Sequence, residues 1–258
     1  MSNTYAINEG VLTRLHREPA APLAGEVTVE IQASSINYRD LGIQAGFYPS
    51  RGGVVPISDG AGRVIDIGDG VTDLVPGDLV ASCFFPFWEA GPATAANHCA
   101  SLGCEMDGLL RSTATLPASA FLRAPDYLSA SEVATLPCAA VTAWAALLTR
   151  GGLIPGEHVL VQGTGGVAVF AVQFAKAMGA TVTVISSSDE KLHKICQLGA
   201  DHTVNYVEYP RWSDRVIELL GGEHIDLAIE LGGAETLAQS LNCLRVGGRI
   251  SVIGVLSG

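Results

Sequence analysis

The chain has 258 residues, enough for one large or two ordinary domains with sizeable cores. A hydrophobic share of 48% against 16% charged residues excludes a disordered chain, and a net charge of −11 with no offsetting basic cluster excludes a nucleic-acid backbone as partner. The first residues, MSNTYAINEG, lack a basic region followed by an apolar core, and the richest apolar stretch, Ala134 to Leu148, is shorter than the ~20 residues of a membrane span; a cytoplasmic protein with no membrane partner is expected.

In chain order, residues 1 to about 125 read as rich in strands and loops. Glu26 to Ala33 alternates with period two, as a half-buried strand does. Asn37 to Ala45 reads as a short helix closed by Gly46 and Pro49. Arg63 to Ile67 and Asp78 to Ala81 are further strands, set apart by Gly68-Asp69-Gly70 and Pro76-Gly77-Asp78 turns. Phe84 to Met106 has no periodicity and reads as a loop; its Trp88 and His98 fit either a pocket lining or a solvated surface. Cysteines 83, 99, 104, 138, 196 and 243 form no C-x-x-C pair, which suits reduced thiols better than a disulfide framework.

Composition shifts near Pro125, so the expected domains are 1–125 and 126–258. Ser129 and Glu132 form a capping box ahead of an alanine-rich helix, Val133 to Leu148, interrupted near Pro137. Strands are then expected at 159–162, 181–185, about 202–204, 225–229 and 249–253, alternating with helices. That pattern implies an α/β domain with a parallel, doubly wound sheet. Such sheets normally carry six strands. The sequence ends after the fifth, so the sheet is expected to lack its last strand, and a truncated product with impaired activity is expected with it.

The second domain turns on His158 to Gly179. An apolar run, Val159-Leu160-Val161, leads into Gly163-Thr164-Gly165-Gly166, and Val167, Phe170, Ala171, Phe174, Ala175 and Met178 then recur at helical spacing. Strand, glycine turn and helix aim backbone N–H groups at a phosphate. The G-x-G-x-x-A spacing assigns Gly163 to the tight turn, Gly165 to close approach of backbone and ligand, and Ala168 to helix–strand packing. A Walker loop is excluded, because no Gly-Lys-Ser/Thr follows. An NAD site wants a carboxylate at the end of the next strand. Here that place holds Ser186-Ser187-Ser188, with the first carboxylate at Asp189. Small hydroxyls leave room for a 2′-phosphate and Lys191 could neutralise it, so NADP(H) is favoured over NAD(H). Ser187 and Glu190 also fit a plain capping box with Lys191 as a surface charge, and both readings can hold together.

These pieces resemble the medium-chain dehydrogenase/reductase superfamily: Ser35-Ile36-Asn37-Tyr38-Arg39-Asp40, Pro76-Gly77-Asp78, Leu136 to Trp144 and Gly163 to Val167. Within it, the chain is most similar to the zinc-independent, quinone-oxidoreductase-like and zinc-type alcohol dehydrogenase-like proteins. The resemblance implies a GroES-like β-barrel domain followed by a Rossmann domain, with the active site in the cleft between them. The zinc members hold metal with a Cys, a His and a second Cys. The corresponding positions here are Asn37, Ser58-Asp59 and Cys138, so no zinc is expected. Asp59 is then expected to be an ordinary turn residue and Cys138 a small buried one.

The resemblance further implies hydride transfer between NADPH and a small acceptor conjugated to a carbonyl (a quinone, enone or enal). It places Asn37 and Thr142 near the nicotinamide, Leu231, Ile253 and Val255 along its pocket, and Tyr206 beside the 2′-phosphate. Tyr48 matches a tyrosine that some enoyl reductases use as a proton donor. Asn37 fits a helix cap equally well, and Tyr48 fits loop packing. A non-catalytic NADPH-binding protein, or an inactive truncated homologue, is the alternative; a zinc alcohol dehydrogenase is a more distant one. A homodimer is the family's usual state and is in doubt where the dimer-edge strand is absent.

Overall fold

The computed structural model describes residues 2–17 and 20–257. The chain divides into two compact units, Met1–Cys138 and Ala139–Gly258. Residues 126–138, grouped by composition with the second half, pack with the first: Val133 and Ala134 share a small core with Ala61, Leu79 and Ala124.

The first unit opens with a hairpin, β1 (Ser2–Asn8) against β2 (Val11–Arg17). Its two-residue turn, Glu9-Gly10, has both φ angles positive, 49° and 76°, the backbone twist that tight hairpins favour. Glu at the first of these positions is not a usual hairpin signal, and neither strand was expected. A five-stranded antiparallel sheet follows in the order β6-β3-β4-β5-β7. Its strands are β3 (Glu26–Ser35), β4 (Asp59–Ile67), β5 (Leu79–Ser82), β6 (Thr113–Pro117) and β7 (Phe121–Arg123). The three expected strands are present, the last two beginning or ending a few residues away from expectation, and β6 and β7 are additional. Val27, Val29, Val64, Val80, Leu109, Leu116 and Phe121 fill the core. Helix α1 (Tyr38–Gln44) follows β3, as expected.

Phe84 to Met106 carries no helix or strand, in keeping with its lack of periodicity. It is nonetheless built around an aromatic cluster: Phe85 lies 4.2 Å from the His98 ring and 6.0 Å from Trp88, and the Arg39 guanidinium sits 4.5 Å above Phe84. Trp88 and His98 are therefore packed with neighbours and are not simply solvated.

The alanine-rich stretch is helical but not one regular helix. It runs through α2 (Ala130–Val133), wide π-type turns at Leu136–Ala140, α3 (Val141–Trp144) and more wide turns at Ala145–Thr149. Pro137 has no N–H to give the preceding turn, which accounts for the break. The Ser129 cap forms as expected, its Oγ accepting from Glu132 N–H at 3.3 Å while the Glu132 carboxylate accepts from Ser129 N–H at 2.8 Å.

The second unit is a parallel sheet in the order β10-β9-β8-β11-β12. The strands are β8 (His158–Gln162), β9 (Thr181–Ser186), β10 (His202–Asn205), β11 (Ile225–Glu230) and β12 (Leu244–Val252). Between them run α4 (Gly166–Ala177), α5 (Asp189–Gln197), α6 (Trp212–Leu219) and α7 (Ala234–Cys243). Both faces are covered: Val159 and Val161 of β8 point into a core with Ala168, Val172 and Leu227, while Leu160 between them joins Trp212, Val216 and Ala228. That is why these strands read as unbroken apolar runs. β12 starts before the expected 249, because Arg245, Gly247 and Gly248 hide its first half. Among the described residues no helix is long and apolar enough to cross a membrane.

Candidate active site

The glycine turn of the second unit sorts its three glycines by physical cause. Gly163 adopts φ +74°, a left-handed conformation that a side chain disfavours, and its N–H donates to Ile185 O at 2.7 Å. Gly166 opens α4, and a Cβ there would stand 3.3 Å from Ala139 Cβ, so packing limits it. Gly165 caps the helix in ordinary extended backbone, φ −80°, and a Cβ on it would meet no protein atom within 4 Å. Neither conformation nor packing asks for glycine at 165. Having no side chain, it gives α4 no side-chain capping bond, so the leading N–H groups are available to an oxyanion. Val167, next in line, is partly buried against the core. The turn therefore leaves backbone N–H groups at the start of α4 without a side-chain cap.

At the end of β9, Ser186 is buried and its carbonyl accepts from Tyr206 N–H at 3.1 Å, while the Tyr206 residue is 40% exposed. Ser187 is exposed beside them. The helix cap falls one residue later than expected: Ser188, not Ser187, accepts from Lys191 N–H, at 3.4 Å. The Ser187–Glu190 capping box is thus corrected, and Ser187 is not the capping side chain of α5. Asp189 is engaged elsewhere, accepting from Asn205 Nδ2 at 2.7 Å. Lys191 is exposed in the first turn of α5.

In the first unit a buried polar cluster forms around Asp59. It is wholly buried at the start of β4, with Oδ1 accepting from Ser58 Oγ at 2.6 Å and Oδ2 from Cys138 N–H at 2.8 Å. The expectation of a turn residue is therefore corrected. Burial pushes its carboxyl above the usual range, against the pull of the Ser58, Cys138 and Asn37 groups. The Asn37 amide lies close enough to favour the anion, yet its buried Nδ2 has no partner in hydrogen-bond geometry. Asp40 accepts from Asn37 N–H at 2.7 Å and is also raised, chiefly by burial. Asn37 precedes α1 as its cap residue without a side-chain cap bond. Cys138 is half-buried, where a small buried residue was expected. Among the described residues no three His, Cys, Asp or Glu side chains are grouped to hold a metal ion.

Family models match both parts of the chain: an alcohol dehydrogenase GroES-like domain over residues 23–126 and a zinc-binding dehydrogenase domain over residues 166–258. A zinc-type alcohol dehydrogenase-like protein of Schizosaccharomyces pombe is 48% identical over 238 residues, covering 90% of this chain and 68% of the relative. The chain belongs to the medium-chain dehydrogenase/reductase superfamily. Among solved structures, a protein of Sinorhizobium meliloti assigned as an alcohol dehydrogenase matches with TM-score 0.92 and 41% identity, over 100% of this chain and 77% of the other. Escherichia coli quinone oxidoreductase, solved with NADPH, matches with TM-score 0.81 and 25% identity over 98% and 73%. Membership in this superfamily places the chain among NAD(P)-dependent oxidoreductases, with a GroES-like first unit and a Rossmann-like second.

The remaining candidates of this superfamily member fall as follows. Thr142 is half-buried on α3; Leu231 and Ile253 are partly buried against the core below the sheet's carboxyl edge; Val255 is 64% exposed. Tyr48 is 43% exposed, and its ring lies so close to α1 that a Cβ on Gly42 would come within 2.7 Å of Cε2. Its packing role is evident in the structure. Two residues escaped sequence reasoning: Gln162 and Glu230, both buried, which end β8 and β11. The available signal was a polar residue closing an otherwise apolar strand.

Proposed function

We propose that this chain is a zinc-independent oxidoreductase that prefers NADPH and exchanges hydride with a small quinone, enone or enal. The observation that carries the reading is Gly165, a helix cap where neither backbone conformation nor packing requires glycine, joined to a β9 terminus of serines where an NAD site would place a carboxylate. Gly163 makes the tight turn, and the N–H groups that follow it, to Val167, hold the diphosphate. Ser186, Ser187, Lys191 and Tyr206 receive the adenosine 2′-phosphate, while Thr142, Leu231, Ile253 and Val255 shape the nicotinamide pocket.

When bound, NADPH supplies a hydride; an enone takes it at its β-carbon and a proton at its α-carbon, giving the saturated ketone and NADP⁺. Asn37, once its amide is turned toward the substrate, is the candidate donor to the oxygen that gains charge, and Tyr48 is the candidate proton source. Acceptors of this kind need little Lewis-acid help, because hydrogen bonds can stabilise an enolate or hydroquinone oxyanion. Zinc does not fit the residues present. Asn37 stands where the first cysteine ligand would be, and both oxygens of Asp59 are engaged by Ser58 and Cys138.

The test is a titration with NADPH and NADH followed by tryptophan fluorescence, with turnover of 1,4-benzoquinone and a simple enone before and after dialysis against a chelator. Tighter NADPH binding with chelator-resistant turnover is expected. Binding without turnover would leave a cofactor-holding protein, and turnover lost on chelation and restored by zinc would refute the metal-free chemistry.

A further inference from the structure

Strands β8 and β11 lie side by side, with β9 and β10 on one flank and β12 on the other. The strand order reverses between them, and the crevice outside the carboxyl ends at such a point is where sheets of this kind bind ligands. The residues ending these two strands are Gln162 and Glu230, 4% and 0% exposed. Gln162 Nε2 donates to Glu230 Oε2 at 2.6 Å, and Ser240 Oγ donates to the same oxygen. Glu230 Oε1 accepts from Gly232 N–H at 2.9 Å, Gly233 N–H at 3.0 Å and Thr236 Oγ1 at 2.5 Å. Gln162 Oε1 in turn accepts from Leu231 N–H at 3.1 Å and Gly232 N–H at 2.8 Å.

The same corner holds the segment after β12. Ile253 and Gly254 N–H donate to the Glu230 carbonyl at 2.9 and 3.2 Å, and Ser257 N–H reaches Gly232 O at 2.8 Å. A Cβ on Gly254 would fall 2.1 Å from Leu231 O, so the two segments touch backbone to backbone. Taking a carboxylate wholly out of water is costly unless its lone pairs are filled, and an apolar residue could close a core strand at no such cost. Every partner of this carboxylate is a donor, and two are backbone amides of the loop at the sheet's carboxyl edge.

We propose that Glu230, seconded by Gln162, is the positioning residue of the switch point. It fixes Leu231–Gly233 and Ile253–Gly254 as the floor for the nicotinamide half of the cofactor. The inference rests on the NADPH reading above. With the diphosphate at Gly163–Val167 and the adenosine ribose at the end of β9, the other nucleotide crosses to the β11–β12 side.

The experiment compares NADPH with 2′-phospho-ADP-ribose, which lacks nicotinamide, on the whole chain. Glu230→Gln turns an amide NH₂ toward groups that themselves donate. It should weaken NADPH about tenfold or more while 2′-phospho-ADP-ribose changes less than about threefold. Adding Gln162→Glu returns a carboxylate to the pair and should recover NADPH binding. Thr236→Val, which removes one donor and leaves the fold intact, should give a smaller loss of the same selectivity. Equal weakening of both ligands, no weakening of either, or failure of the exchanged pair to recover would overturn the role.

If the unaltered chain binds neither ligand, the NADPH reading falls, and amide hydrogen exchange decides the positioning role by itself. Exchange in Glu230→Gln that speeds up at Leu231, Gly232, Gly233, Ile253 and Gly254 supports it; unchanged exchange there overturns it.

Discussion

Replacing Gly165 by alanine separates ligand binding from folding, because neither backbone conformation nor packing requires glycine there. Its φ of −80° is open to any residue, and an added Cβ would have no protein atom within 4 Å. Two small effects on stability oppose each other. Alanine narrows the unfolded ensemble, worth roughly 0.4–1 kcal/mol in favour of folding. Against this, alanine is a poorer helix cap than glycine, by roughly 0.5–1 kcal/mol. The net is about zero, within the ±0.5 kcal/mol of an ordinary surface change. Binding is different, since a methyl group at the point of closest backbone approach must be accommodated by a tightly held diphosphate. An overpacking cost of about 1–3 kcal/mol corresponds to an affinity loss of about ten- to hundredfold. Gly163→Ala provides the contrast: at φ +74° it should lose about 1–2 kcal/mol of stability. Urea unfolding gives the first quantity and an NADPH titration the second. A Gly165→Ala protein that binds NADPH as tightly as the parent would refute the proposed diphosphate site.

Three further outcomes are expected. Asp40 and Asp59 hold their protons more tightly folded than unfolded, so their contribution to stability is full below the ordinary value of 3.8 and lost as pH rises through their raised folded values; Asp59→Asn should flatten that decline, and urea midpoints with an unchanged slope between pH 4 and pH 8 would contradict it. Gly62→Ala, whose Cβ would fall 2.0 Å from Glu30 O across the β3–β4 pair, should cost more than the roughly 1–3 kcal/mol of a merely overpacked side chain, read as a lower thermal midpoint; an unshifted midpoint would deny the close approach. Asp201→Asn releases Lys176 Nζ, 2.8 Å away, and weakens the bond from Val182 N–H at 2.7 Å; a loss of about 1–2 kcal/mol by chemical denaturation is expected, shrinking as pH falls through the lowered Asp201 value, and a loss that persists undiminished in acid would exclude the ion pair as its source.

Periodicity reached most of the second unit, because strands covered on both faces and amphipathic helices leave strong marks in sequence. Val159-Leu160-Val161 is such a mark, each residue buried and alternate ones feeding different cores. It reached less of the first unit. β7 is three residues long and the β1–β2 turn uses Glu9 at a positive φ, so neither announces itself. The glycine turn was legible since its chemistry is in the backbone, and backbone conformation is what glycine encodes. The surroundings of Asp59 and Glu230 were not. Each carboxylate draws a partner from a distant stretch, Cys138 for Asp59 and Gln162 for Glu230, and no local pattern reports a contact across 79 or 68 residues. The capping box at Ser187 failed for a smaller reason: with three serines in a row, spacing alone could not say which one ends the strand.

Asp59 and Glu230 share a logic: each is a buried carboxylate that gathers backbone amides. Where a zinc site would fix its loops through coordination, the first unit uses a buried carboxylate that accepts from the Cys138 amide and the Ser58 hydroxyl. The second unit does the same at its sheet edge, with Glu230 gathering the Gly232 and Gly233 amides. At each place a backbone amide donates to a carboxylate, a kind of bond worth most when desolvated and costliest to leave unmade. A carboxylate used in this way orients a loop without presenting a charge to the substrate, since both groups are sealed from solvent. It follows that neutral isosteres at 59 and 230 should disturb loop order before they disturb the chemistry. Activity lost through either change ought to return when the loop is held by another route, as the Glu230→Gln, Gln162→Glu exchange is built to do.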